Sequence, residues 1–161
     1  MMNTLKVSMP NDREVLMTRM FDAPRSLVWD TMSKPELIQR WLFGPPGWVM
    51  TACDDEHKVG GTFRWAWRGP EGGELIMTGV YREIVPPERC VRTESFTMAG
   101  APAMGEQLAT LVLTEQGGKT RLTLTLQYAS KEARDGAVAS GMEHGVAASY
   151  DRLEEVLAGK M

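Results

Sequence analysis

Between Trp48 and Tyr128 the chain alternates apolar and polar residues with a period of two, and beyond Gly136 the period lengthens to three or four. The first rhythm is that of strands with one face in a core; the second is that of an amphipathic helix. The clearest strand is Thr62-Phe-Arg-Trp-Ala-Trp-Arg68, which puts Phe63, Trp65 and Trp67 on one face and Arg64 and Arg68 on the other. Thr120 to Tyr128 repeats the pattern, with Leu122, Leu124 and Leu126 against Arg121, Thr123, Thr125 and Gln127. Leu108–Glu115 precedes it across Gln116-Gly-Gly-Lys119, a hairpin signal. Further strands are predicted over Trp48–Glu56, Glu74–Val85 and Arg89–Met98, with turns at Gly60-Gly61 and Gly69–Gly73 and a stop at Pro86-Pro87. Gly79 inside a strand predicts a bulge or a bend.

Before this block, Glu14–Phe21 reads as a first strand and residues 1–12 as a loose lead-in. Pro24 at a first helical position opens a short helix running to about Met32. Ser33-Lys-Pro-Glu36 has the form of a capping box and opens a second, Glu36–Leu42, with Leu37 and Trp41 on one side. Phe43–Gly47 ends it. At the other end Ser130 caps a turn leading into one uninterrupted helix, Gly136–Leu157. Its stripe is Val138, Met142, Val146, Ser149, Leu153 and Val156, with Glu143, Ala147, Asp151, Glu154 and Glu155 on the wet side. Gly141, Gly145 and Ala148 lie in or beside that stripe, which implies close packing on a sheet or space left open above one.

The order is strand, two short helices, about six antiparallel strands, long helix. Without strand–helix–strand alternation a parallel sheet is not expected. The expected fold is α+β: a curved antiparallel sheet of about seven strands curls around the C-terminal helix, and the short helices close one edge. With 161 residues this is a single domain over residues 13–159.

Net charge is −3 and no basic cluster is longer than two residues, so no nucleic-acid footprint is visible. No apolar run has the length of a membrane span, and the first residues lack a signal-peptide pattern, which predicts a soluble cytoplasmic protein. Cys53 and Cys90 have no metal or redox spacing and read as reduced, buried thiols.

Particular stretches then resemble a known family. They are Phe21-Asp-Ala-Pro-Arg25 with Val28-Trp29, Pro35-Glu36, and Trp41 with Gly44-Pro45. Next come Gly60-Gly-Thr-Phe-Arg64, Gly79-Val-Tyr-Arg-Glu-Ile84, and Pro86-Pro-Glu-Arg89. The last are Arg134-Asp135, Gly141-Met142 and Ser149-Tyr-Asp-Arg-Leu153. In order and number they resemble the family named after the activator of heat shock protein 90 ATPase (homologue-one-like), within the SRPBCC, or START-like, superfamily. The resemblance spans about residues 14–158. It implies a helix-grip fold and a pocket between the long helix and the sheet for an apolar or aromatic ligand. It implies no single activity. One departure stands out: the family pattern places Trp where this chain has Val146, which implies more space over the sheet.

The residues expected to line that pocket are Trp41, Phe63, Trp65, Trp67, Met77, Tyr81, Met142, Val146 and Tyr150. The aromatic strand also serves as plain core. His57 and His144 are the two histidines. His57, among Asp54, Asp55 and Glu56, reads as part of a solvated strand end, and His144 as a surface or cavity-mouth residue. Neither has a partner at a metal or catalytic spacing, and no phosphate-cradling glycine loop is present, so no metal, cofactor or catalytic group is assigned.

Three functional classes stay open. The first is a binding protein for a small apolar or aromatic ligand. The second is a protein-interaction module contacting a chaperone; a homodimer through an exposed sheet edge or the outer face is also open. The third is a cyclase- or lyase-like enzyme, for which Tyr81, Tyr150, Arg64 and His144 are the contributors at hand.

Overall fold

The computed structural model describes residues 3–42, 47–98 and 105–159. Phe43–Pro46 and the start of the Ala99–Gly105 loop, with the Gly44-Pro45 pair of the family pattern, lie outside the described residues.

Eight strands form one antiparallel sheet in the order β1-β2-β8-β7-β6-β5-β4-β3. They are β1 (Lys6–Ser8), β2 (Glu14–Phe21), β3 (Val49–Asp55), β4 (Thr62–Arg68), β5 (Glu74–Val85), β6 (Arg89–Met98), β7 (Gln107–Gln116) and β8 (Lys119–Gln127). Seven of the eight fall where the two-residue period predicts. The eighth, β1, corrects the expectation of a loose lead-in: Lys6, Val7 and Ser8 pair with Thr18, Met17 and Leu16. Its three residues are exposed, so main-chain pairing, invisible to an apolar pattern, holds it.

Sequence neighbours β2 and β3 lie near opposite edges of the sheet. The chain crosses between them by α1 (Arg25–Ser33) and α2 (Pro35–Ile38). Two local expectations are corrected here. Pro24 is the N-cap of α1 and not its first turn. Ser33 ends α1 and does not cap α2, whose N-cap is Lys34 with no side-chain bond. The second helix is one turn long, and Ile38, rather than Leu37, joins Trp41 in the core. Trp41 Nε1 donates to the Thr31 carbonyl at 2.9 Å, which ties the turn after α2 back to α1.

The C-terminal helix is two helices. Lys131–Ala139 is α3 and Met142–Leu157 is α4. Ser130 caps α3 as expected, accepting from the Ala133 amide at 3.1 Å. Between the helices Gly141 takes φ +78°, a left-handed conformation that stops one helix and starts another. Helical periodicity runs straight through such a glycine, which is why one helix is predicted. Arg134 of α3 is buried and donates from Nη1 to the Asn11 carbonyl at 2.6 Å, fixing α3 against the chain before β2.

The inner face of the sheet carries the core. Val15, Met17 and Phe21 of β2, Ala109 and Leu113 of β7 and Leu122, Leu124 and Leu126 of β8 are buried. So are Phe63, Trp65 and Trp67 of β4 with Met77 and Tyr81 of β5. The predicted irregularity in β5 lies at Arg82, where the register to β6 shifts between Tyr81 and Glu83, and not at Gly79. Gly79 serves a different need. A β-carbon there would stand 1.9 Å from the Thr93 carbonyl oxygen and 2.6 Å from the Phe63 ring. α4 is held over this face by its C-terminal half, where Ser149, Tyr150 and Leu153 are buried. The Tyr150 ring meets Phe21 at 5.8 Å and Trp41 at 6.2 Å.

Candidate functional site

Of the nine expected pocket residues, Phe63, Trp65, Trp67 and Tyr81 form one row of rings, and Trp41 meets Tyr150. Phe63 lies 4.5 Å from Trp65 and 5.4 Å from Tyr81, and Trp65 lies 6.5 Å from Trp67, between ring centres. Trp67 Nε1 donates to the Leu42 carbonyl at 2.7 Å. Trp41, Phe63, Trp65, Trp67, Met77, Tyr81 and Tyr150 are all buried, whereas Met142 and Val146 of α4 are only half-buried.

That difference continues across the sheet. Leu111 on β7 pairs with Leu124 and Cys90 and so points inward with them. Arg92 and Phe96 on β6 are opposite Tyr81 and Met77 and also point inward. Leu111, Arg92 and Phe96 are nonetheless half-buried. They belong to the two strands furthest from either edge on this side of the sheet, where a filled core would seal them. Leu111, Arg92 and Phe96 on the inner face and Met142 and Val146 in the first half of α4 are thus half-buried, whereas Ser149, Tyr150 and Leu153 in its second half are buried.

Charged and polar groups stand on the same inner wall. Arg92 Nε donates to Glu94 Oε2 at 2.9 Å, and Gln107 Nε2 donates to Glu94 Oε1 at 2.7 Å. The Arg92 guanidinium carbon lies 4.8 Å from the Trp65 ring centre and 5.3 Å from that of Phe63, within cation–π range. Tyr128, at the end of β8, donates from its hydroxyl to the Met142 sulfur at 3.6 Å.

At the β3 end the wall holds Asp55, whose side chain is fully buried. Tyr81 donates its hydroxyl to both carboxylate oxygens, at 2.8 and 2.9 Å, and Trp65 Nε1 donates to Oδ2 at 3.2 Å. Burial pushes the Asp55 carboxyl above its ordinary value, against the pull of those two donors. Burial likewise pushes the Tyr81 phenol up, so it keeps the proton it donates. The solvated strand end is therefore corrected: Asp55 and Cys53 are on the inner face, across from Phe63 and Trp65. His57 follows them inward. Its ring meets Tyr81 at 4.8 Å and Trp29 of α1 at 6.2 Å, and both its nitrogens are buried without a hydrogen-bond partner. Burial lowers its pKa, with the Asp55 charge opposing.

The four groups proposed for an enzyme do not converge. Tyr81 and Tyr150 face inward, but Arg64 is exposed on the outer face of β4 and His144 is exposed on the first turn of α4. Asp55, His57, Arg92, Glu94 and Gln107 are the polar groups that do gather. The signal for them was available: Cys90, Arg92, Glu94 and Phe96 alternate on one strand face, as Cys53 and Asp55 do on another. Cys53 is a free thiol whose pKa burial, aided by the Asp55 and Asp54 charges, pushes up to about 11. It and the buried, free Cys90 are thus poor nucleophiles. Among the described residues no cluster of His, Cys, Asp and Glu is arranged to hold a metal, and no helix is long and apolar enough to cross a membrane.

A second feature lies on the other side of the sheet. Thr62, Arg64, Thr78, Val80 and Ser95, with the acidic Asp54, Glu56 and Glu106, are among the residues that line an open groove of about 440 Å³ there.

Comparison with known proteins agrees with this architecture. The chain aligns over 98% of its length with 99% of a crystal structure from Rhodobacter sphaeroides, at 32% identity and a TM-score of 0.86. A Mycobacterium smegmatis structure matches over 96% of both chains at 22% identity and TM-score 0.84. A Nitrosomonas europaea structure matches 94% of this chain and 98% of its own, at 24% identity and TM-score 0.81. These last two share the fold. No curated protein matches the chain. The sheet, the crossover helices and the gripping helix are those of a helix-grip fold, and residues 22–158 match the model of one family that uses it. The chain is a member of the family described as activator of Hsp90 ATPase homolog 1-like protein.

Proposed function

We propose that this chain is a small-molecule-binding protein that takes an apolar or aromatic ligand between the first half of α4 and the inner face of the sheet. One observation carries the reading: Leu111, Arg92 and Phe96 point inward from central strands and yet are half-buried, as are Met142 and Val146 in the first half of α4. Apolar side chains left reachable in the middle of a fold are what a preformed pocket requires. The aromatic row Phe63–Trp65–Tyr81 supplies a stacking wall, and Val146 is a small side chain on the half-buried part of α4. Two free cysteines fit a reducing compartment and so a cytoplasmic protein.

The same geometry speaks less for catalysis. The Asp55 carboxylate is sealed and both nitrogens of His57 are buried, so neither offers an open acid or base to a substrate. A contact with a chaperone rests on the family's namesake alone.

Native mass spectrometry of gently purified protein tests the reading, with a denatured control. The expected result is a reproducible extra mass of small-molecule size that disappears on denaturation. If the bare protein mass persists even after incubation with a library of apolar aromatic compounds, the proposal fails.

A further inference from the structure

Donor and acceptor accounting on the inner wall identifies the chemistry of the ligand, given the pocket proposed above. Both oxygens of Glu94 are taken, one by Arg92 and one by Gln107. Both oxygens of Asp55 are taken by Tyr81, and one also by Trp65. The acceptors are thus satisfied from within the protein. Arg92 is not. A guanidinium carries five N–H groups, and among the described residues the hydrogen bond of this one is made by Nε. Its side chain is 23% exposed, whereas that of Glu94 is 5% exposed. The wall therefore has donors to spare, at the tip of Arg92.

The tip is held in place. Trp65 and Phe63 lie beneath the guanidinium, Glu94 fixes Nε, and the residue across on β7 is Ala109, too small to crowd it. A fixed donor edge over an aromatic floor suits an oxygen acceptor on a flat, apolar body.

Charge selects among such acceptors. Arg92 and Glu94 cancel as a pair. A ligand carboxylate would place another negative charge beside Glu94, against one guanidinium, in a partly desolvated site. An uncharged oxygen takes the same N–H groups and adds no charge. We infer that the pocket selects uncharged ligands bearing a carbonyl-type oxygen, which Arg92 receives, and that Glu94 is what turns carboxylates away.

The probes are prodan, an uncharged fluorescent naphthyl ketone, and the naphthoate in which a carboxylate replaces that ketone. Wild type should bind prodan with a blue-shifted emission and at least about tenfold more tightly than the naphthoate, the range of one hydrogen bond to a charged donor. Arg92→Met should weaken prodan about tenfold and shift its bound emission further to the blue, because the carbonyl loses its donor. Glu94→Gln should strengthen naphthoate binding and erase the preference. Circular dichroism establishes that each variant is folded, and Glu94→Gln reads the charge argument even if Arg92→Met does not fold. Wild type that leaves the emission as it is in buffer overturns the pocket itself, and this inference with it. Prodan binding that is unchanged in affinity and colour in Arg92→Met, or naphthoate held as tightly as prodan by wild type, overturns this inference and leaves the pocket standing.

Discussion

His57 Nδ1 stands 4.0 Å from Asp55 Oδ1, too far for a hydrogen bond, and neither ring nitrogen has another partner. A buried imidazole beside a sealed carboxylate, wedged between Tyr81 and Trp29, costs stability and titrates with a definite sign. Burial lowers the folded pKa of His57 below its unfolded value near 6.5. The unfolded chain therefore binds the proton first, and stability is lost as pH falls below about 6.5, at up to about 1.4 kcal/mol per pH unit. His57→Leu, which removes both unmet nitrogens, should flatten that slope. Urea unfolding of both proteins at pH 7.5 and pH 5.5 measures it, and equal slopes would refute the assignment.

Asp55 titrates in the opposite sense. Burial raises its folded pKa above the ordinary carboxylate value of 3.8, so its contribution is most favourable at low pH and declines as pH rises through that range. Asp55→Asn removes the charge and keeps an acceptor for the Tyr81 hydroxyl and the Trp65 amine. It should be tolerated within about 1 kcal/mol at pH 7, whereas Asp55→Ala orphans two buried donors and should cost about 2–4 kcal/mol. Chemical denaturation at neutral pH distinguishes them. If alanine costs no more than asparagine, the donors have found other partners.

One substitution should have opposite signs at two glycines. Gly79→Ala drives a β-carbon into the Thr93 carbonyl and the Phe63 ring and should cost about 2–3 kcal/mol as overpacking. Gly136→Ala, in α3 with nothing within 4 Å of the added carbon, should add about 0.5–1 kcal/mol through helix propensity. Thermal midpoints of the two variants would show it directly; shifts of the same sign would contradict the packing described for Gly79.

The strands were legible because alternation is written residue by residue, and Phe63-Arg-Trp-Ala-Trp67 needs no tertiary knowledge to assign a face. The break at Gly141 was not, since a glycine on a helical stripe satisfies the period whether or not the backbone turns left-handed there. β1 was hidden because its exposed Lys6–Ser8 is held by main-chain pairing alone. The polar side of the wall was missed for another reason. Asp54, Asp55, Glu56 and His57 look like a wet strand end in composition, and only the alternation that carries Asp55 inward with Cys53 distinguishes a buried carboxylate from a solvated one. Arg92 and Glu94 carry the same lesson: their positions face inward by count, while their charges argue for solvent.

The anchoring of α4 yields a graded prediction. Arg19, buried on β2, reaches Asp151 at 3.0 Å and Glu154 at 3.4 Å. Glu154 also accepts from Asn3 at 2.7 Å and from the Asp22 amide at 3.2 Å, while the side chain of Asp151 is 61% exposed. Asp151→Asn should therefore cost no more than about 0.5 kcal/mol, and Glu154→Ala, which removes three bonds at once, about 2 kcal/mol. Urea midpoints rank the two, and the reverse order would mean that Asp151 is the true anchor.

Val146 offers a test of the space itself. It is half-buried in the first half of α4 and packs against the core, at the edge of the ligand site proposed above. If that space exists, Val146→Trp fills it with apolar surface and should add about 1 kcal/mol, a rise of about 2–4 °C in thermal midpoint for a chain of this size. The same variant should lose prodan binding by at least about tenfold, since ring and ligand compete for one volume. Calorimetry and fluorescence titration report the two effects separately. A protein that becomes less stable and binds as before would show that the indole was forced into a core already full, and the half-burial of Leu111 and Phe96 would then need another cause.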